Sequence, residues 1–159
     1  MSETLTLNDY MKEDALLFDN LSTAICNTEH SDYEKILEDC EQFEHRIVLF
    51  KILPTYYVMK TILYFKLNDY ENAHKYINGS LKYLLYIAKN ATALSEEEQK
   101  NFDEYKENVV NQYKILTQEK PEYLNTKKAS LPATAEFITS SDEAFLQKEI
   151  DTRILIRKV

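Results

Sequence analysis

Residues 54–84 read PTYYVMKTILYFKLNDYENAHKYINGSLKYL. Apolar and aromatic side chains return every three or four positions on both sides of Asn68-Asp69, which is the spacing of one face of an α-helix. Pro54 suits a first helical turn, where its missing N–H has no partner to lose. Asn68-Asp69 is a turn signal. The stretch therefore predicts two helices closed by a tight turn, one from Pro54 to Leu67 and one from Tyr70 to about Lys89.

Working outward, helical spacing predicts three further main helices. The first runs from about Asp9 to Asn27, striped by Leu16, Leu17, Leu21, Ala24 and Ile25. After the polar break Thr28–Ser31, the second runs from about Asp32 to Phe50, striped by Tyr33, Ile36, Leu37, Cys40, Phe43, Ile47 and Val48. Ser95 and Glu98 form a capping box, each side chain reaching the other's free backbone N–H. It opens a helix to about Gln118 with Phe102, Tyr105, Val109, Tyr113 and Leu116 on one face. Pro121 stops that helix, and Asn125–Ala135 reads as a loop. Ser140 and Glu143 suggest a second capping box for a short helix through about Ile150. Arg153–Val159 is β-branched, apolar and basic, more strand-like than helical. The expected fold class is all-α, with residues 1–120 as a helical domain and 121–159 as a mixed C-terminal tail.

Composition agrees. One glycine and three prolines in 159 residues are too few for the turns of a sheet-rich domain. With 44% hydrophobic and 29% charged residues, the balance is globular. The net charge of −8 is uneven, because residues 1–50 hold twelve acidic and three basic side chains, a balance of −9. Such a face repels nucleic acid and anionic lipid, so neither nucleic acid nor membrane is an expected partner. No window approaches 18 consecutive apolar residues, and the opening MSETLTLNDYMKEDALLF lacks the basic flank and apolar run of a signal peptide. The sequons at Asn20, Asn78 and Asn90 then carry little weight. Two cysteines, Cys26 and Cys40, suit a reducing compartment. Cytoplasm or nucleus is the expectation.

The central hairpin resembles a tetratricopeptide repeat. The resemblance rests on Tyr57, Tyr64-Phe65-Lys66, Asn68-Asp69-Tyr70-Glu71-Asn72-Ala73, Tyr76-Ile77 and Ser80-Leu81. Ala73 stands where the family has a small residue to let the two helices touch, with Tyr57, Tyr64 and Tyr70 filling the wedge. Lys60 departs from the family's usual Leu, Thr61 from its small residue, and Leu85 from its terminal proline. A fainter copy, Ser31-Asp32-Tyr33-Glu34, lies 37 residues upstream with Ile36 at the small position. The likeness covers one clear unit, about 54–85, and one degenerate unit, about 16–50. It implies antiparallel hairpins stacked as a short array, with the fifth helix capping it or opening a third unit.

In this family the first helix of each unit lines a groove for a partner peptide. One subtype holds a chaperone's C-terminal carboxylate with Lys, Asn and Arg. The matching positions here are Thr55, Val58, Met59 and Ile62, and Leu21 and Ile25 in the degenerate unit, so no such clamp is expected. An apolar groove of Thr55, Val58, Met59, Ile62 and Phe65 is the first candidate for a protein contact, and core burial of these residues is the alternative. The second is the tail, where Phe137, Ile154 and Ile156 could fold back on the bundle or add to a partner's sheet edge. Arg153, Arg157 and Lys158 could meet the acidic N-terminal third.

No reaction chemistry is legible. His30, His45 and His74 are scattered, the two cysteines read as small buried thiols, and runs such as Glu96-Glu97-Glu98 suit a helix start. With Gly79 alone, no phosphate-cradling loop is available. The expectation is a protein with no cofactor or metal, not an enzyme. It would be an adaptor or scaffold, or alternatively an obligate subunit of a larger complex. A pocketed ligand binder is the remoter class.

Overall fold

The computed structural model describes residues 5–26, 32–90, 93–119 and 131–157. Among these the fold is all-α, with no strand. The helices are α1 (Leu7–Cys26), α2 (Tyr33–Glu44), α3 (Leu53–Lys66), α4 (Tyr70–Asn90), α5 (Glu96–Glu119), α6 (Ala135–Ile138) and α7 (Glu143–Arg157), with a 3-10 turn at Phe50–Ile52. The chain divides into two compact units. Residues 1–53 with 140–159 form the first, and residues 54–139 the second. The domain boundary expected at 120/121 lies outside the described residues, as do the break Thr28–Ser31 and most of the loop expected at Asn125–Ala135.

The second unit is built on the α3–α4 hairpin. Its turn is a Schellman closure: Asp69 N–H reaches back to the Tyr64 carbonyl at 2.8 Å and Asn68 N–H to that of Phe65 at 3.1 Å. Asn68 takes the left-handed conformation this needs, with φ of 60°, which asparagine tolerates better than most residues. Asp69 then caps α4 by accepting from Asn72 N–H at 3.3 Å. The helices run antiparallel, with Ser80 Oγ donating to the Pro54 carbonyl at 3.2 Å and Tyr57 packing edge-on to Tyr76 at 5.7 Å. Ala73 is fully buried.

Lys60 is 1% exposed. Its Nζ donates to Tyr76 Oη at 3.0 Å and lies 4.3 Å from the centroid of the same ring and 5.3 Å from that of Tyr64. Tyrosine rings thus surround the ammonium, a favourable placement for a cation. Gly79 lies inside α4, where glycine costs about 1 kcal/mol relative to alanine. The reason is close approach: a Cβ there would stand 2.9 Å from Pro132 Cδ and 3.1 Å from Tyr57 Cδ2. The segment at Pro132 is pinned further by a Tyr57 hydroxyl–Thr134 hydroxyl hydrogen bond, and α6 packs on α4. On α5, Val109 and Leu116 are buried and Phe102, Tyr105 and Tyr113 half-buried, so the expected stripe is the packed face. The Ser95–Glu98 box forms as expected, at 3.1 and 3.3 Å.

The first unit departs from expectation in four places. Helix α1 starts at Leu7 rather than Asp9, because Thr6 and Asp9 cap it reciprocally: Thr6 N–H donates to Asp9 Oδ2 at 2.9 Å and Asp9 N–H to Thr6 Oγ1 at 3.2 Å. Those bonds to the charged form hold the Asp9 carboxyl below its ordinary value. Helix α2 ends at Glu44, not Phe50, because other groups claim the backbone beyond it. Asp14 Oδ2 accepts from Val48 N–H at 2.8 Å and Leu49 N–H at 3.1 Å, and Arg153 Nη1 donates to the Glu44 and Ile47 carbonyls, both at 2.9 Å. Ile47 and Val48 are buried, as anchors of a loop rather than as a helix stripe.

The strand-like tail is helical through Arg157. Ile150, Arg153, Ile154 and Arg157 recur at helical spacing and are among its less exposed residues, so tertiary packing overrides the β-branched composition. Its cap is Asp142, whose Oδ1 accepts from the N–H groups of Ala144 at 3.1 Å and Phe145 at 3.2 Å, in place of the Ser140–Glu143 box.

Candidate protein-binding surfaces

The α3 residues singled out from sequence do not form one open stripe. Val58 and Met59 are each 7% exposed, Ile62 and Phe65 are half-buried, and only Thr55 is exposed. Phe65 lies edge-on to Tyr70 at 5.7 Å. The three tail residues are not brought together either. Phe137 is buried in the second unit, whereas Ile154, half-buried, and Ile156, exposed, belong to the first. His74 is half-buried, which depresses its pKa, and His45 is exposed. Cys40 is buried, whereas His30 and the side chain of Cys26 lie outside the description. Among the described residues, no three His, Cys, Asp or Glu side chains are grouped to hold a metal ion, and no helix is long and apolar enough to cross a membrane.

The acid–base interactions concentrate in the first unit. Asp14 is fully buried, and its Oδ1 accepts from Arg157 Nη1 at 2.5 Å. Arg157 Nη2 reaches Glu13 Oε2 at 2.6 Å, its Nη1 also donates to the Arg46 carbonyl at 3.2 Å, and its guanidinium lies 4.6 Å from the centre of the Tyr10 ring. Buried charge survives where it is paired and hydrogen-bonded; here residues 143 positions apart make the pair, with Arg157 Nε buried and without a hydrogen-bond partner among the described residues. Arg153 and Arg157 of the basic tail thus do meet the acidic N-terminal segment, whereas Lys158 lies outside the described residues.

Beside this cluster, α1 and α2 leave a groove of about 470 Å³ between them. Leu17, Leu21 and Ala24 line one side and Phe43 the other. Leu17, Leu21 and Ala24 stand at i, i+4 and i+7, so they form one stripe of α1. Leu17 is 46% exposed, a degree of exposure unusual for a leucine on a packing face. Glu13 and Asp39 add carboxylates at the rim, and Arg157 closes the end next to Arg46. Another hollow, about 530 Å³, follows the first turns of α5 among Glu96, Gln99 and Asp103, exposed side chains of a single helix, and offers no converging groups.

Sequence reasoning marked the α1 stripe, and placed Leu21 and Ile25 at groove positions of the degenerate unit, but missed Asp14 altogether. The available signal was a carboxylate four residues after Tyr10 and three before Leu17, inside the apolar stripe itself. Compared with protein-family models, curated proteins and solved structures, the chain matches none of them.

Proposed function

We propose that this chain is a helical protein-binding module. The observation that carries the reading is the α1–α2 groove, in which a partly exposed leucine stripe lies open between two helices. Apolar stripes of that spacing are what helix-in-groove recognition uses. The α3–α4 hairpin, with its Asn68-Asp69 turn and buried Ala73, is compatible with a tetratricopeptide-like unit, the family whose members commonly bind other proteins. The acidic surface and two cysteines suit a site of action in cytoplasm or nucleus.

A second reading, an obligate subunit of a larger complex, draws support from large apolar side chains exposed in both units: Leu16, Leu155 and Ile156 in the first, Leu85 in the second. Affinity purification of the tagged chain with mass spectrometry, beside light scattering of the pure protein, separates the two. A well-behaved monomer with partners lost on Leu17→Ser supports the binding module. An aggregating free chain rescued by one partner at fixed stoichiometry supports the subunit. Purification that returns no partner contradicts both.

A further inference from the structure

Resting on the protein-binding reading, we infer that the α1–α2 groove takes a basic amphipathic α-helix from a partner protein. Two adjacent helices that present stripes to a common seam are an incomplete layer, and a third helix completes it by burying both stripes at once. The groove's α1 wall runs from Glu13 to Ala24. At 1.5 Å per residue that is roughly 16 Å, or three turns of an occupant helix. Leu17, Leu21 and Phe43 give that helix an apolar floor for leucine-like anchors at i, i+4 and i+7.

Charge decides the rest of the occupant. Glu13, Asp14 and Asp39 line the groove against two cations, Arg46 and Arg157. Arg157 is already engaged by Asp14 and Glu13 at 2.5 and 2.6 Å, so it offers no attraction to an incoming carboxylate. Arg46 lies at the same closed end, its carbonyl bonded to Arg157. Asp39 stands five residues before the end of α2 at Glu44, more than one turn from the closed end, and is exposed. An occupant whose lysines or arginines flank its apolar stripe meets Asp39 there, within a segment carrying a balance of −9 over residues 1–50. An acidic helix meets repulsion at the same place. Leu17, Leu21 and Ala24 recur along α1, so the seam offers a strip to a helix rather than a terminal pocket to a small amine.

The test uses a fluorescein-labelled helical peptide of about 14 residues, leucine at i, i+4 and i+7 and lysine elsewhere. Its comparisons are a scrambled lysine peptide and a glutamate version of the same pattern, titrated against the full chain by anisotropy. The patterned lysine peptide binds at least about tenfold more tightly than either comparison, and more weakly as salt rises. Leu17→Ser weakens it about tenfold, Leu85→Ser leaves it unchanged, and Asp39→Lys shifts preference toward the glutamate peptide.

Equal binding of lysine and glutamate peptides, both lost in Leu17→Ser, overturns the basic character of the occupant while the protein-binding reading stands. Equal binding of scrambled and patterned peptides, indifferent to Leu17→Ser, shows diffuse attraction only and overturns the inference. If no peptide binds, the inference falls. The protein-binding reading then falls with it only if purification also returns no partner sensitive to Leu17→Ser.

Discussion

Each of the two units is held together internally by its own means. The second is joined largely by neighbours in sequence: the Asn68 turn closes α3 on α4, and tyrosines a few turns apart interleave around Lys60. The first is joined by charge across the length of the chain, with Asp14 near one end bound to Arg157 near the other. Local, mostly aromatic packing tolerates small errors because each contact is one of many. A buried carboxylate that holds two backbone N–H groups and a guanidinium does not, because removing one partner strands the others.

The largest effect is therefore expected at Asp14. Asp14→Ala leaves the Val48 and Leu49 N–H groups without their acceptor and takes from Arg157 its buried carboxylate, with Glu13 and the Arg46 carbonyl remaining, a loss of about 3–5 kcal/mol measurable by denaturant unfolding. Hydrogen exchange sharpens the contrast. Protection falls in α1, α2 and α7 and persists in α3–α5, and an equal loss in both would break it.

Gly79→Ala probes the second unit. The added Cβ meets Pro132 and Tyr57 at 2.9–3.1 Å, an overpacking cost of about 1–3 kcal/mol that outweighs the roughly 1 kcal/mol of helix propensity gained. A higher melting temperature for this variant would mean that Pro132 does not pack tightly on α4. The tyrosines offer a pH test of the same unit. Burial raises the Tyr105 phenol above its ordinary value of 10, so the native state holds its proton more tightly than the unfolded chain. Its contribution is intact below pH 10 and is lost as pH rises beyond it, by about 1 kcal/mol near pH 11, and Tyr105→Phe removes that share of the alkaline loss. The smallest effect is Ser95→Ala, about 0.5–1 kcal/mol at the α5 start, visible as fraying in hydrogen exchange.

The same contrast explains what the sequence revealed. The α3 and α4 boundaries were legible to within about a residue, and the α5 stripe was legible whole, because turn chemistry, capping and apolar period act within a few positions. The end of α2 was not legible. Ile47 and Val48 continue its period, and only Asp14 and Arg153, distant in sequence, divert the backbone after Glu44. The tail was misread for a related reason: Ile154-Leu155-Ile156 is strand-like by composition, and its helical face shows only once Arg153 and Arg157 have carbonyls and carboxylates to meet. The α1–α2 groove was hidden in plain view. Leu17, Leu21 and Ala24 form a good stripe, but a stripe does not say whether it is covered.

Isotope-labelled protein titrated with the patterned lysine peptide tests the central claim most directly. The account predicts amide shift changes centred on residues 13–24 and 39–46, with α3–α5 unmoved. Changes centred on Thr55–Phe65, or spread evenly over the acidic surface, would contradict it.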